Sequence, residues 1–297
     1  MTSPLPILHN AVEIMTPFLL AALGGLLTEL AGMLNIALEG LILLGAFFGI
    51  VFTSLLGNAV LGVLAGALVV MAAALFFGVV TIYLKSNIFI TGLATNLMAG
   101  GLIAVLSFHI FRNKGVIRFP ELAALPRLSG GRLSDIPVLG DILFNHTPFV
   151  YASWGLTLLA FLFLYKTPWG FRLRGTGRNP LAVEAVGLQP RFYQLGGIVF
   201  SGFACALAGA SLSLGVGAFV PGISAGRGWT ALVVIYLGNR HPWGILGAAF
   251  FFALAESLSN WIQGVTALPS DLILALPYAV TVTILVTVSG IRRRRSL

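Results

Sequence analysis

Charge is what this sequence has least of. Asp, Glu, Lys and Arg together make up 9% of its 297 residues, against about 25% in a soluble globular domain. So few charges cannot cover the surface of a soluble particle of this size. Cysteine is nearly absent. Cys205 stands alone inside an apolar run, which excludes an internal disulfide and any CxxC metal or redox pair and leaves a small packing residue. The four histidines, His9, His109, His146 and His241, are scattered along the chain, and no HExxH is present. No Ser-His-Asp arrangement suggests hydrolysis. No glycine is followed by lysine, so the GxxxxGK loop that cradles nucleotide phosphates is missing. These absences exclude a catalyst, a metal site and an ATP site on this chain. Residues 1–10 carry no Lys or Arg and Glu13 interrupts the first apolar stretch, so no cleavable signal peptide is predicted.

What is abundant is apolar sequence in long runs. Hydrophobic residues make up 58% of the chain and the mean hydropathy is +1.00. Leu41–Phe52, Val60–Val80 and Ala279–Val288 contain no charge at all. Because roughly 20 apolar residues in a helix cross a bilayer, the chain reads as an all-α membrane protein. It is a single polytopic bundle over 1–297, with about nine transmembrane helices (eight to ten). The spans fall at 12–28, 33–54, 58–84, 88–111, 148–166, 193–216, 229–239, 242–262 and 269–290. The seventh is short enough to be a half-helix, and Gly32, Asn35 and Gly40 can break the region 12–55. The pairs Gly45/Gly49 and Gly62/Gly66 have the small-xxx-small spacing that lets helices approach closely.

The net charge of +8 would raise nucleic acid as a partner in a soluble protein. In a membrane protein it follows from basic cytoplasmic loops. Lys85, Lys166, Arg172, Arg174, Arg178, Arg191, Arg240 and Arg292 to Arg295 fall on one set of loops; Arg112, Lys114, Arg118, Arg127, Arg132 and Arg227 fall on the other. The richer set is predicted to be cytoplasmic, with the C-terminus inside and the N-terminus outside. The outer loop 112–147 then faces the inner loop 167–192 across the membrane. Arg292 to Arg295 would anchor the last span at the lipid headgroups.

The inner loop carries a local signal. Asn179-Pro180 is a helix start, an Asn cap followed by Pro at the first helical position. Gly187 is a natural stop. Between them Pro180–Val186 makes about two turns, with Leu181, Ala182, Ala185 and Val186 on one face. A helix this short is unstable alone in water and must pack on something. A connector resting on the protein's own helices and a docking helix for a cytoplasmic partner both fit.

Polar residues inside apolar spans are costly, and so mark function or packing. Asn35 and Glu39 are four apart on one predicted helix face, Glu256 and Asn260 repeat the arrangement, and Asn96 sits mid-run in the fourth span. A helix cap for Asn35, a packing pair for Glu256 and interhelical hydrogen bonding for Asn96 stand beside a pathway role for each. Ser201, Ser211 and Ser213 are expected to bond their own helix backbones.

Four stretches, in order, resemble a known family. In the inner loop these are Thr167, Gly170, Arg172, Arg174, Gly177, Asn179, Pro180, Ala182 and Gly187; the others are AGMLNIALEGLILLG at Ala31–Gly45, SGFACALAG at Ser201–Gly209 and GRGWTALVVIYLGNRHPWGILG at Gly226–Gly247. Together they are similar to the permease subunits of ATP-binding-cassette importers of the branch that serves nucleosides, ribose and simple sugars, over residues 12 to 290. Thr95-Asn96 departs from the Leu-Asn or Met-Asn of the pattern. The resemblance implies a type II importer-like fold and a second permease subunit, identical or not. It also implies a cytoplasmic ATPase that binds the ATP and an extracytoplasmic substrate-binding protein, at the plasma (inner) membrane. It places ATPase coupling on Arg172, Arg174, Arg178, Asn179, Pro180, Leu181, Ala182, Ala185, Val186 and Gly187. The Asn-Ile-x-x-Glu-Gly segment favours nucleosides over ribose, other simple sugars or a riboflavin-type vitamin. The alternative from another class is a self-sufficient secondary transporter, with Glu39 and Glu256 as ion-binding carboxylates.

Overall fold

The computed structural model describes residues 5–122, 125–129 and 139–265. Four long helices come first, α1 (Leu5–Leu30), α2 (Leu38–Leu56), α3 (Ala59–Ile82) and α4 (Ile88–Phe111). After the strand β1 (Ile117–Arg118) and the single turn α5 (Leu139–Leu143) comes α6 (Pro148–Lys166). Two short helices, α7 (Pro168–Arg178) and α8 (Pro180–Ala185), lead into α9 (Pro190–Val216). The strand β2 (Ala218–Phe219), α10 (Arg227–Leu237) and α11 (Pro242–Val265) follow. Seven of these helices are long and apolar enough to span a membrane, and α10 is a shorter apolar helix. The chain is a multi-pass membrane protein. The predicted span 269–290 lies outside the described residues.

Three boundaries differ from the sequence reading. The first helix starts at Leu5, not 12, because Glu13 has partners there and need not end the helix. The second span begins at Leu38, not 33; residues 31–37 are a turn and extended backbone with Gly32 at φ +80°. Residues 168–178 form α7, where the sequence suggested only a basic stretch. Thr167 makes that helix: its hydroxyl accepts from Gly170 N–H at 3.2 Å and donates to Phe163 C=O at 2.6 Å, with Pro168 at the first helical position.

The helices α1, α2 and α9 form the centre, and α1 is almost wholly buried while α4 is mostly exposed. Small residues set the approach of α2 and α9. A Cβ on Gly45 would fall 2.6 Å from the Cα of Ala206, and one on Gly209 would strike the backbone of Ile42 and Ala46. Side chains there are excluded, so dispersion between two backbones holds the pair. Gly62 and Gly66 do the same for α3 against Thr53 and Gly49, as their spacing predicts.

Two ends of the bundle are defined by contacts between loops. At one end β1 pairs with β2 antiparallel, Ile117 opposite Phe219. At the other, Arg240 pairs with Glu29 at 3.1 Å, and the end of α7 meets the turn after α1, where a Cβ on Gly32 would lie 3.1 Å from Gly177 Cα.

Candidate functional site

Two segments enter the bundle from opposite ends and meet inside it. Residues 31–37 run inward from the end of α1. Residues 220–226 run inward from β2 to the start of α10. The depth of the meeting point follows from the helices it touches. Ser201, which bonds Asn35, lies ~16 Å from the start of α9 at 1.5 Å per residue, and Asn96 ~12 Å from the start of α4. Helix α10 itself is ~16 Å long, about half of a ~30 Å hydrocarbon core. Both α2 and α10 therefore begin within the depth of the bundle.

A helix that begins there leaves backbone N–H groups without partners, and burying them is expensive. Glu39 solves this for α10. Its Oε1 accepts from Gly226 N–H at 2.9 Å and its Oε2 from Gly228 N–H at 2.7 Å. A carboxylate on a helix N-terminus also gains from the macrodipole. The contact needs Gly228: a Cβ there would overlap the backbone N and Cα of Glu39. Gly226 adds φ +78°, a conformation natural only to glycine.

The start of α2 is held by two amides. Asn96 on α4 donates from Nδ2 to Ile36 C=O at 2.9 Å, and its Oδ1 accepts from Gly40 N–H at 2.8 Å. Buried Asn35 donates to the Ser201 hydroxyl at 2.9 Å while its Oδ1 accepts from Ala37 N–H at 3.0 Å. Asn35 thus sits in the break before α2, and the predicted shared helix face with Glu39 does not exist. Ser201 serves Asn35 across helices, where a bond to its own helix backbone was expected; Ser211 and Ser213 do bond their own helix.

The fifth part of this junction is an ion pair that the sequence did not announce. Arg227, the first residue of α10, donates from Nη2 to Glu256 Oε1 at 3.1 Å, with the two side chains 19% and 28% exposed. Its guanidinium lies over the Phe18 ring, 5.7 Å from the centroid, and its Nε is buried without a hydrogen-bond partner. Asn260 does not join them and lies exposed one turn further along α11. The signal for Arg227 was its place between Gly226 and Gly228, which loop-charge counting overlooked.

The second region is α7–α8, at the end of the bundle that carries Arg240. The predicted helix forms: Asn179 Oδ1 accepts from Ala182 N–H at 3.1 Å, and Gly187 closes it at φ +79°. Val183 turns inward against α7, whereas Leu181 and Val186 are 74% and 72% exposed. Ala182 and Ala185 are exposed beside them. A cleft of about 370 Å³ between α7 and α8 is lined by Phe171, Arg174, Arg178, Val183 and Val186, among others. Arg172 and Arg178 are exposed; Arg174 lies over the Tyr165 ring at 4.5 Å.

Comparison with known proteins follows this geometry. Residues 7–285 match the family model described as branched-chain amino acid transport system / permease component. The chain is 31% identical over 278 residues to the guanosine ABC transporter permease protein NupQ of Bacillus subtilis (strain 168), covering 90% of this chain and 86% of that one. It is 30% identical over 295 residues to the nucleoside ABC transporter permease protein NupC of Lactococcus lactis subsp. cremoris, covering 96% and 92%. It is 33% identical over 254 residues to the putative glucose ABC transporter permease protein TsgC13 of Haloferax volcanii, covering 85% and 76%. Among solved structures, PsaBC from Streptococcus pneumoniae in complex with Fab overlays with a TM-score of 0.46 at 17% identity, covering 93% of this chain and 89% of that one.

Proposed function

We propose a transport function for this chain, which belongs to the family of branched-chain amino acid transport system permease components. It is the membrane-spanning subunit of an ATP-driven importer, and its cargo is a nucleoside. The observation that carries the cargo assignment is the match, along nearly the whole chain, to relatives named for guanosine and nucleosides. ATP is hydrolysed on a separate subunit.

The coupling surface is α8. A six-residue helix has no stability of its own, and this one spends only Val183 on its own protein. The exposed Leu181 and Val186, with Arg172, Arg174 and Arg178 beside them, suit a cleft on a cytoplasmic ATPase: apolar contact at the centre and charge at the rim. That end of the bundle, and the C-terminus with it, is cytoplasmic on this reading.

The route runs past the junction of α2 and α10, between this chain and a second permease subunit, in a type II importer-like assembly of about nine spans per subunit fed by an extracytoplasmic binding protein. Asn35, Glu39 and Asn96 support its wall, because their polar atoms are already committed to backbone and Ser201. Arg227, Glu256 and Asn260 keep exposed polar surface and are the groups that meet the cargo, whose hydroxyls and base edges both donate and accept.

Uptake of labelled guanosine, uridine and glucose tests this in cells lacking their own nucleoside transport and supplied with the partner subunits. Nucleoside uptake that disappears when the ATPase subunit is omitted supports the proposal. Glucose uptake without nucleoside uptake, or transport by this chain alone, overturns it.

A further inference from the structure

The histidines that are scattered in sequence are not all apart in space. His9 near the start of α1 stacks on His146, ring centroids 4.2 Å apart at 18°, and Glu13 sits one turn along from His9. One ligand atom from each of His9, Glu13 and His146 falls within 4.8 Å of the others. The cluster lies where α1 meets the segment 125–147, at the end of the bundle away from α8.

His146 is the fixed member. Its side chain is 0% exposed. Its backbone is tied to the facing strand: Leu128 N–H donates to His146 C=O at 2.9 Å and Asn145 N–H to Leu128 C=O at 3.0 Å. Its Nε2 lies 2.8 Å from Ile142 C=O. A carbonyl accepts only, so Nε2 carries the proton, and in the neutral ring the lone pair is on Nδ1. That Nδ1 is buried, has no hydrogen-bond partner, and faces Glu13 Oε1 at 3.7 Å, beyond hydrogen-bond reach. Oε1 of Glu13 is likewise buried without a hydrogen bond. Two electron-rich atoms thus face each other with a gap between them, a stable arrangement only when a cation fills it.

We propose that this gap is a binding site for a divalent transition-metal ion of the zinc type, with His146 Nδ1 and Glu13 Oε1 as the resident ligands and His9 as the third. Zinc bonds of about 2.0–2.2 Å at tetrahedral angles place two ligand atoms about 3.3–3.6 Å apart, close to the 3.7 Å found. The Nε2–H to carbonyl bond is the outer-sphere contact that fixes the tautomer of a metal-binding histidine. His9 Nε2 stands 3.9 Å from Glu13 Oε1. Because the two rings are stacked, their lone pairs run side by side. The 24% exposed His9 side chain is therefore the one that rotates to complete the site, and water supplies the fourth position. Arg127, 49% exposed and 3.3 Å from Glu13 Oε1, holds the carboxylate's charge until the ion displaces it into solvent. The ion then ties the first span to the segment 125–147. This assignment is independent of the cargo and of ATPase coupling.

Competition with Arg127 gives the test a sign. The full-length protein, purified in detergent without a polyhistidine tag, is titrated with Co²⁺ for visible absorption bands and with Zn²⁺ for a rise in melting temperature. Bands and a rise are expected in the native protein. His146→Ala should lose both, Glu13→Gln should weaken binding at least tenfold, and Arg127→Ala should tighten it. Glu13→Gln keeps the test decisive if His146→Ala does not fold. The absence of bands and of a shift at millimolar metal would overturn the site. So would native affinity in either ligand variant, or unchanged or weaker binding in Arg127→Ala. A melting temperature that rises on acidification but ignores metal would mean that the gap takes only a proton, and would overturn it equally.

Discussion

The junction at the starts of α2 and α10 and the α7–α8 segment treat their polar and apolar groups in opposite ways. At the junction, Glu39 and Asn96 give each of their side-chain acceptor oxygens to a backbone N–H, and glycines exclude anything wider than backbone. At α8, two large apolar side chains point into open space with arginines around them. A saturated site is built to hold shape. An unsaturated surface is built to be completed by something else. The contrast teaches that a polar residue inside a span marks the pathway only where its hydrogen-bonding capacity is not already spent. Glu39 passes the test of position and fails the test of availability; Glu256, beside Arg227, passes both.

Mutations separate the two regions by what they damage. Gly228→Ala should have the largest effect, because the added Cβ meets the backbone of Glu39 and neither side can retreat. A loss of about 3 kcal/mol or more is expected, at the upper end for overpacking, seen as lost monodisperse protein in detergent. Glu39→Ala removes two charge-assisted bonds and strands two N–H groups, for about 2–4 kcal/mol, read as a fall in melting temperature. Glu39→Gln should recover part of this, since one amide oxygen still accepts. Asn96→Leu frees Gly40 N–H and Ile36 C=O and should cost about 1–3 kcal/mol; a smaller fall than Glu39→Ala but a clear one is expected. Near-native melting in both Glu39→Ala and Asn96→Leu would erase the distinction between the regions.

Glu256→Gln sharpens the comparison from inside the junction. It keeps a hydrogen-bond acceptor for Arg227 but removes the charge. Uptake should fall several-fold while membrane levels stay within the spread of the native protein. Sidedness is checked by cysteine labelling in a Cys205→Ser background. Ser129 should react from outside in intact cells and Glu184 only after permeabilisation. Thr176, at first sight an equivalent probe in the same loop, is buried and its hydroxyl bonds Arg172 C=O at 3.0 Å, so it would mislead.

How much of this was legible depended on whether the cause was local. Helix α8 was readable because its cap, Pro180 and stopping glycine all lie within nine residues. The break near Asn35 was signalled by Gly32, and the half-length of α10 by hydropathy. Helix α7 was missed because Gly170, Gly175, Gly177 and three arginines argue against helix by propensity. What overrides this is the Thr167 cap and the packing of Gly170 against α6. The partners of Glu39, Asn35 and Arg227 come from distant segments, and no spacing rule connects them. The stacking of His9 on His146 was hidden for the same reason.

The most direct measurement is substrate-stimulated ATP hydrolysis in the reconstituted complex of this chain, its permease partner and the ATPase, with native protein beside Ala185→Glu. A surface substitution at an exposed alanine should change stability by no more than about 0.5 kcal/mol. In a desolvated contact the same unpaired charge is costly. The expected result is native melting and insertion with stimulated hydrolysis reduced to the unstimulated level. Full stimulation in the Ala185→Glu complex would contradict α8 as the coupling surface, and with it the division between a region that holds shape and a region that awaits a partner.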